Sequence, residues 1–393
     1  MKNHNPSPGR ARLLSLARRW QRRATFALAL ATGLLGNGAA MAQAGEPLLI
    51  GQSAGFTGGQ AEYAKDVRLG IEAAFSLANA AGGINGRPLR LVTVDDGGKR
   101  DAVLANTRKL AESDKTLALI GYTSGAGTEA SLETITKARI PMLSPATGNM
   151  GIRAAFNPYL FHTRAGYGDE MARIIRHVAS LGLTRIALAY LDDVGPANLR
   201  SMQDALAAER LSAVAVVGLN RNATDFTPQI DALAKADAQL VVFISNAKPI
   251  AAIVKGLRER GYGGQFATSS FAGSRLAGDL KQHARGLIMI QVLPQPRKDH
   301  LQFQRDFHAS LRRLAADAQP NYTMLEGFIA GRVLIEGLRR AGPAPTRASL
   351  VAGLESLGSL DLGGYLIRLS RDNHNGSRFV DLGVINGDGR LVF

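Results

Sequence analysis

The alternation of short apolar strands with longer helical stretches predicts an α/β protein of two doubly wound parallel-sheet lobes joined by a hinge of several crossing segments. Three observations carry this. Strand-like and helix-like patterns alternate strictly from residue 48 to residue 292. Runs such as Leu117-Ala118-Leu119-Ile120 are apolar on both faces, as strands covered by helices on each side are. The alternation also begins afresh near residue 159, and the roughly 350 residues beyond position 44 are too many for one ordinary core.

In the first unit, residues 48–52 form a strand. Residues 60–81 form a helix, with Val67, Ile71, Ala74, Phe75 and Ala78 at helical spacing. Gly82-Gly83 stops it, and Asn85-Gly86-Arg87-Pro88 turns the chain into a strand over 89–94. Helix 102–112, strand 117–121, helix 128–138 and strand 140–143 follow. The second unit enters through 159–163. It then runs through helix 167–181, strand 185–191, helix 196–209, strand 213–218, helix 227–236, strand 240–244, helix 249–261, strand 265–268, helix 274–282 and strand 287–292.

After the break Leu293-Pro294-Gln295-Pro296, helices over 301–316 and 322–340 occur with no strand between them. A helix near 350–357 and strand pieces over 365–369 and 380–393 close the chain, the last bent at the hairpin signal Asn386-Gly387-Asp388-Gly389. Helices returning to one lobe and strands to the other make both domains discontinuous. The N-terminal lobe is then 45–164 plus 294–358, and the C-terminal lobe 165–293 plus 359–393.

Residues 1–44 read as a signal peptide. A basic stretch (Lys2, Arg10, Arg12, Arg18, Arg19, Arg22, Arg23) runs into an apolar one over 26–35, and Ala42-Gln43-Ala44 fits a small-x-small cleavage site after Ala44. An apolar run this short falls well below the roughly 20 residues of a membrane-spanning helix. The Arg pairs leave both the general and the twin-arginine export routes open. The segment holds seven of the 47 Lys and Arg residues and none of the 32 acidic ones, so 40 basic residues face 32 acidic ones in the remainder. These fall singly along helices, which is the pattern of a solvated surface and not of a nucleic-acid interface. The sequence has no cysteine, which excludes disulfides, thiolate metal sites and a lipid-modified Cys at the start of the mature chain.

The chain resembles the leucine/isoleucine/valine-binding family of type I periplasmic binding proteins. The residues that carry the resemblance are Ile50 to Gly58 with Tyr63 and Gly70, the block Gly82-Gly83-Ile84-Asn85-Gly86-Arg87 after a long helix, the strand ending Asp95-Asp96, Ile120-Gly121 with its Ser/Thr/Gly loop, Ile140-Pro141 to Ser144-Pro145-Ala146-Thr147, and Leu191-Asp192-Asp193. It extends over essentially all of 48–385. It implies two lobes joined by three crossovers, an amino acid or related small carboxylate or amide held in the cleft, and delivery to an ABC-type membrane permease by a soluble periplasmic monomer. A sensory receptor for a signalling partner is the alternative.

Ligands of open parallel sheets sit outside the carboxyl ends of the strands. The loop Tyr122-Thr123-Ser124-Gly125-Ala126-Gly127-Thr128 lies there, with hydroxyls and backbone N–H groups at a helix N-terminus, and suits a ligand carboxylate. Helix capping by Ser124 or Thr128 is the duller reading, and both can hold. Gly125 to Ala130 also matches the dinucleotide fingerprint G-x-G-x-x-A, but the next strand ends Leu143-Ser144-Pro145, without the acid that would hold a ribose. Ala146, Thr147 and Gly148 resemble the family's second ligand loop or form an ordinary polar turn. Tyr63 resembles the residue that walls the side-chain pocket, against plain packing.

From the second lobe the facing positions are Tyr167, Asp192, Asp193, Asn246 and Ser269-Ser270-Phe271. The two aspartates are either receivers of an ammonium group or N-caps of the helix near Pro196. Two departures from the family's amino-acid binders stand out: Ser270 where they carry a Glu for the ammonium, and Ala247 where they place an aromatic. No G-x-S-x-G or H-E-x-x-H occurs and the seven histidines are dispersed, so the reading is a binding protein with no catalytic residue, metal or cofactor.

Overall fold

The computed structural model describes Met1 and residues 45–113, 115–273 and 275–393. The signal-peptide reading of 1–44 lies outside the described residues. Residues 46–393 form one compact unit that contains two large sheets.

The first sheet is parallel throughout, in the order β2-β1-β3-β4-β5. Its strands are β1 (Leu48–Ala54), β2 (Leu89–Asp95), β3 (Thr116–Ile120), β4 (Met142–Leu143) and β5 (Leu160–Phe161). Every residue of β3 is buried, which is why its sequence lacks the alternation of a half-exposed strand. The connecting helices are α1 (Ala61–Ala80), α2 (Arg100–Glu112) and α3 (Gly125–Ala138).

The second sheet runs β14-β13-β10-β9-β8-β6-β7. Its parallel part comprises β6 (Ile186–Leu191), β7 (Ala213–Leu219), β8 (Leu240–Ile244), β9 (Gln265–Thr268) and β10 (Ile288–Gln291). Helix α4 (Tyr167–Ser180) leads into β6, and α5 (Pro196–Ala208), α6 (Thr227–Lys235), α7 (Ala247–Glu259) and the short α8 (Leu276–Leu280) lie between these strands. β13 (Asp381–Ile385) and β14 (Leu391–Val392) add antiparallel at one edge, joined by the expected turn at Asn386.

After β10 the chain returns to the first sheet's side as α9 (Gln302–Leu314), α10 (Tyr322–Arg340) and α11 (Arg347–Glu355). α10 packs along α1 at very close range. A Cβ on Gly70 would lie 1.9 Å from the Met324 carbonyl oxygen, and one on Gly327 would lie 2.1 Å from that of Val67. Only glycine admits this crossing. The Arg347 guanidinium fastens α11 to the rest of the lobe by donating to the carbonyls of Ala111 (2.9 Å) and Ala138 (3.2 Å), at the C-termini of α2 and α3.

Three segments cross between the sheets: the chain after β5, the chain after β10, and the stretch through the hairpin β11 (Gly358–Asp361) and β12 (Leu366–Leu369). The first and third pair as strands, with His162 N–H donating to the His374 carbonyl and Gly376 N–H to that of His162. The Tyr365 phenol touches all three crossings. It donates to Ser377 Oγ at 2.9 Å and lies 3.4 Å and 3.5 Å from the carbonyl oxygens of Val292 and Thr163.

The boundaries differ from the sequence reading at a few places. α3 begins at Gly125, three residues early, because Ser124 caps it by accepting from Gly127 N–H. The helix expected over 274–282 is only α8 followed by a 3-10 turn, Lys281–Ala284. β11 was not anticipated, since Gly358-Ser359-Leu360-Asp361 is short, mostly exposed and without alternation.

Candidate functional site

The site follows from the strand orders. In the first sheet the chain reverses direction of winding between β1 and β3, and in the second between β6 and β8. The loops leaving those strands diverge and open a crevice. They are the chain after Ala54, the loop Gly121–Ser124, the turn after Leu191, and Ser245-Asn246. Two further turns, after β4 and after β9, carry Ala146 to Gly148 and Ser269 to Phe271 to the same ends.

On the first-lobe wall the polar groups are buried and largely satisfied among themselves. Thr123 Oγ1 accepts from Gly55 N–H at 3.2 Å, and Ser124 Oγ accepts from Gly127 N–H at 3.1 Å. Thr147 Oγ1 accepts from Asn149 N–H at 3.2 Å. The Tyr63 phenol reaches from α1 to donate to the Ala146 carbonyl at 3.0 Å, so it closes over that turn. Burial pushes the Tyr63 phenol well above its ordinary value, and the Glu326 carboxylate adds to the shift.

The lobes meet across this wall. Tyr167 N–H donates to the Gly148 carbonyl at 2.8 Å, and a Cβ on Gly148 would lie 2.4 Å from the Tyr167 ring. Burial pushes the Tyr167 phenol up to about 12. Beside them Asn198 of α5 accepts from Met150 N–H at 2.9 Å and donates to Asn149 Oδ1 at 2.8 Å.

The other wall is charged. Arg164, in the first crossing, is 1% exposed. Its guanidinium donates to Glu170 Oε1 of α4 at 2.7 Å and to Ser270 Oγ, and it reaches the two oxygens of Glu326 on α10 at 3.3 Å and 3.5 Å. Glu170 is fully buried. It also accepts from Ser270 N–H at 2.7 Å and Ser270 Oγ at 2.9 Å. Burial pushes the Glu170 carboxyl up, against Arg164 and the Ser270 donors. Burial also works to discharge Arg164, but the two carboxylates outweigh it and hold its pKa above the ordinary value. The cluster thus joins the first lobe (Glu326), the hinge (Arg164) and the second lobe (Glu170, Ser270).

Two cavities lie between the lobes. One of about 190 Å³ is lined by Tyr63, Asp66, Asn246, Phe271 and Thr323, among others. The other, of about 10 Å³, is lined by Tyr63, Ser270, Tyr322, Thr323 and Glu326. Tyr63, Gly273 and Thr323 border both.

Of the residues singled out from the sequence, Tyr63, Asn246, Ser270 and Phe271 therefore line an inter-lobe cavity. Thr123, Ser124, Gly125, Ala126, Ala146, Thr147, Gly148 and Tyr167 are packed behind Tyr63 or against each other where the lobes touch. Asp193 is placed elsewhere: its carboxylate accepts from Arg221 Nη2 at 2.8 Å and is about half exposed, and it lines neither cavity. It is not the helix cap either, because Gly195 holds that position. The formal dinucleotide fingerprint has a packing explanation, since a Cβ on Gly127 would lie 2.6 Å from Val103 of α2.

The sequence reading missed Arg164, Glu170 and Glu326. Glu170 looks like any acid in a helix's first turn. Glu326 carried a legible signal, standing alone within Met324-Leu325-Glu326-Gly327-Phe328-Ile329, where an amphipathic helix has no reason to place a carboxylate. Among the described residues no group of three or more His, Asp or Glu side chains is arranged to hold a metal ion, and no helix is long and apolar enough to cross a membrane.

Two parallel-sheet lobes closing on a crevice at their winding reversals define a hinged ligand-binding protein. The chain matches the periplasmic binding protein family over residues 47–390 and belongs to it. The resemblance to leucine/isoleucine/valine-binding proteins read from the sequence holds. A substrate-binding periplasmic protein from Ralstonia solanacearum is 30% identical, with a TM-score of 0.81 over 88% of this chain and 99% of that one. An amino acid binding protein from Pseudomonas aeruginosa is 24% identical over 222 residues, 56% of this chain. A chemotactic signal transduction system substrate-binding protein from Halobacterium salinarum is 29% identical over 238 residues, 58% of this chain. The matches take in 59% and 57% of these last two relatives' own lengths.

Proposed function

We propose that this chain is the exported solute-binding component of an ABC-type importer. It closes its two lobes on an amino acid or a related small carboxylate or amide and presents the closed form to a membrane permease. In this reading the first lobe offers Tyr63, the loop Thr123 to Ala126 and the turn Ala146 to Gly148. The second offers Tyr167, Asn246, Ser270 and Phe271. The observation that supports it best is the bridging cluster Glu326–Arg164–Glu170, because buried charges shared by both lobes and the hinge tie the cleft's chemistry to its closure. The amino acid binding protein among the relatives supports the ligand class.

A saturating ligand raises the melting temperature of the protein it binds. A panel of amino acids, amides and small organic acids screened that way should contain at least one stabilising solute, and mass spectrometry should recover it unaltered. A panel with no stabilising member sinks the proposal. The chemotactic relative favours a second reading, in which the closed form signals to a membrane receptor. Recovery of a receptor in place of a permease from detergent-solubilised membranes would favour it.

A further inference from the structure

The larger inter-lobe cavity, of about 190 Å³, has walls unsuited to a branched hydrocarbon. Among the described residues no Leu, Ile, Val or Met borders it, and its apolar part is the rings of Tyr63 and Phe271 with the small Ala247 and Ala272. Polar side chains reach it from both lobes: Gln60, Glu62 and Asp66 from the first, Asn246, Lys248 and Arg275 from the second. Glu62 and Arg275 are already paired with each other across the lobes at 2.9 Å.

Several acceptors at this cavity are short of donors. Asp66, one turn beyond Tyr63 on α1, accepts from Asn321 Nδ2 at 2.9 Å through one oxygen, and its other oxygen accepts from no group among the described residues. Asn321 itself caps α10 by accepting from Met324 N–H at 2.9 Å, so the Asp66 carboxyl is held in place. Burial raises that carboxyl above its ordinary value, against the Asn321 donor and Arg275. From the other lobe Asn246 stands at the start of α7 without making a cap bond to it. Its Oδ1, like Gln60 Oε1, is buried and has no hydrogen-bond partner among the described residues. A buried acceptor in that condition costs free energy until a donor reaches it.

We propose that Asp66 and Asn246 read the end of the solute that lies in this cavity through hydrogen bonds it donates, so that the cleft selects a carboxamide or hydroxyl end over a hydrocarbon end of the same shape. This rests on the reading of the cleft as the solute site and narrows it. The cavity has room for about six groups of water size, at roughly 30 Å³ each, which suits such an end and the carbons that lead to it. Lys248 and Arg275 already bring two cations to the same walls, so a neutral donor fits better than a third positive charge. A hydrocarbon end is rejected because the acceptors of both lobes then stay unpaired.

The test uses probes of matched shape in calorimetric titrations of the purified protein: L-asparagine against L-leucine, L-glutamine against L-homoleucine, and succinamate against 4-methylpentanoate. The last pair lacks the amine, so the comparison does not depend on it. At least one polar member should bind about tenfold or more tightly than its hydrocarbon partner. Asp66→Leu should narrow that ratio to about threefold or less by weakening the polar member alone. Hydrocarbon members that bind as well as the polar ones would overturn the inference and leave the transport reading standing. So would an Asp66→Leu protein that weakens both members of a pair equally, since that marks a structural role and not a contact with the solute. Failure of every probe, polar and hydrocarbon, counts against the transport reading itself and takes the inference with it. Should Asp66→Leu not fold, Asn246→Ala takes its place and should narrow the same ratio.

Discussion

The two walls of the cleft are built by different means. The first-lobe wall consists of contiguous loops, Tyr122–Thr128 and Ser144–Asn149, whose groups are largely satisfied within the loops or by neighbours in the same lobe, as Ser124 is by Gly127 N–H, Thr123 by Gly55 N–H and Ala146 by Tyr63. The charged wall draws Glu326 from the first lobe, Arg164 from the hinge and Glu170 and Ser270 from the second lobe, across more than 160 positions of sequence, and holds them by charge. A wall of local loops is specified by its own few residues. A wall of shared charges exists only when both lobes and the hinge are in register.

Removing the shared cation should give the largest effect. Arg164→Met strands two buried carboxylates, and breaking a buried ion pair from one side typically costs about 3–5 kcal/mol. Urea unfolding should show a loss of that size, with Arg164→Met/Glu170→Gln recovering part of it. A loss under about 1 kcal/mol would mean that water reaches the cluster, and the contrast between the walls would fail.

The same contrast explains what the sequence made legible. Strands such as β3 and β8, apolar on both faces, and the Gly-Gly stop after α1 announce themselves within a few residues, and the loops of the first wall follow from them by position alone. The pairing of Arg164 with Glu170 is only six residues apart, yet nothing local distinguishes it from a helix-dipole acid beside a surface arginine. Glu326 needs the Gly70 and Gly327 crossing of α1 and α10 before its position in the cleft exists. Asp193 shows the converse failure: a carboxylate at the correct strand end was claimed by a neighbouring arginine that strand order does not reveal.

The next effect probes the first wall where the second lobe touches it. A Cβ at Gly148 would overlap the Tyr167 ring, a strain of about 1–3 kcal/mol if the lobes stay together. If the lobes part instead, Gly148→Ala should leave the ligand-free melting temperature nearly unchanged while weakening affinity for the best solute about tenfold or more. Small-angle scattering should show a more open average shape. A variant that melts early without opening would place the strain in the first lobe's own core.

Acidity should act between the walls, at the hinge. His162 and His374 lie in the paired first and third crossings, and burial lowers the pKa of both; for His374 this outweighs the pull of Glu355, 3.4 Å away. The unfolded chain takes up these protons near pH 6.5, and the folded chain takes them up only at lower pH, His162 well below it. Stability is therefore full above that pH and declines as the pH falls below it, by roughly 1 kcal/mol at pH 5.5 for His162, with His374 acting in the same direction. Glu170 works in the opposite direction, because a carboxyl raised by burial binds its proton before the unfolded chain does and adds stability on acidification. Urea midpoints between pH 7.5 and 5.5 should fall, and His162→Gln should flatten the fall. A rising midpoint would show that the charged wall, not the hinge, governs the response.

The smallest effect separates two roles of one hydroxyl in the first wall. Ser124 caps α3, and its loss to Ala should cost about 1 kcal/mol, whereas loss to Gly should cost only a few tenths. Ser124→Gly thus removes the hydroxyl while nearly preserving the helix start. If Ser124 also meets the ligand, affinity for the best solute should fall several-fold in Ser124→Gly with the melting temperature almost unmoved. If it is only a cap, Ser124→Gly should bind as the wild type does and Ser124→Ala should differ from it in stability alone. The second outcome would make the first wall a scaffold that shapes the cleft, and would leave recognition to the charges that face it.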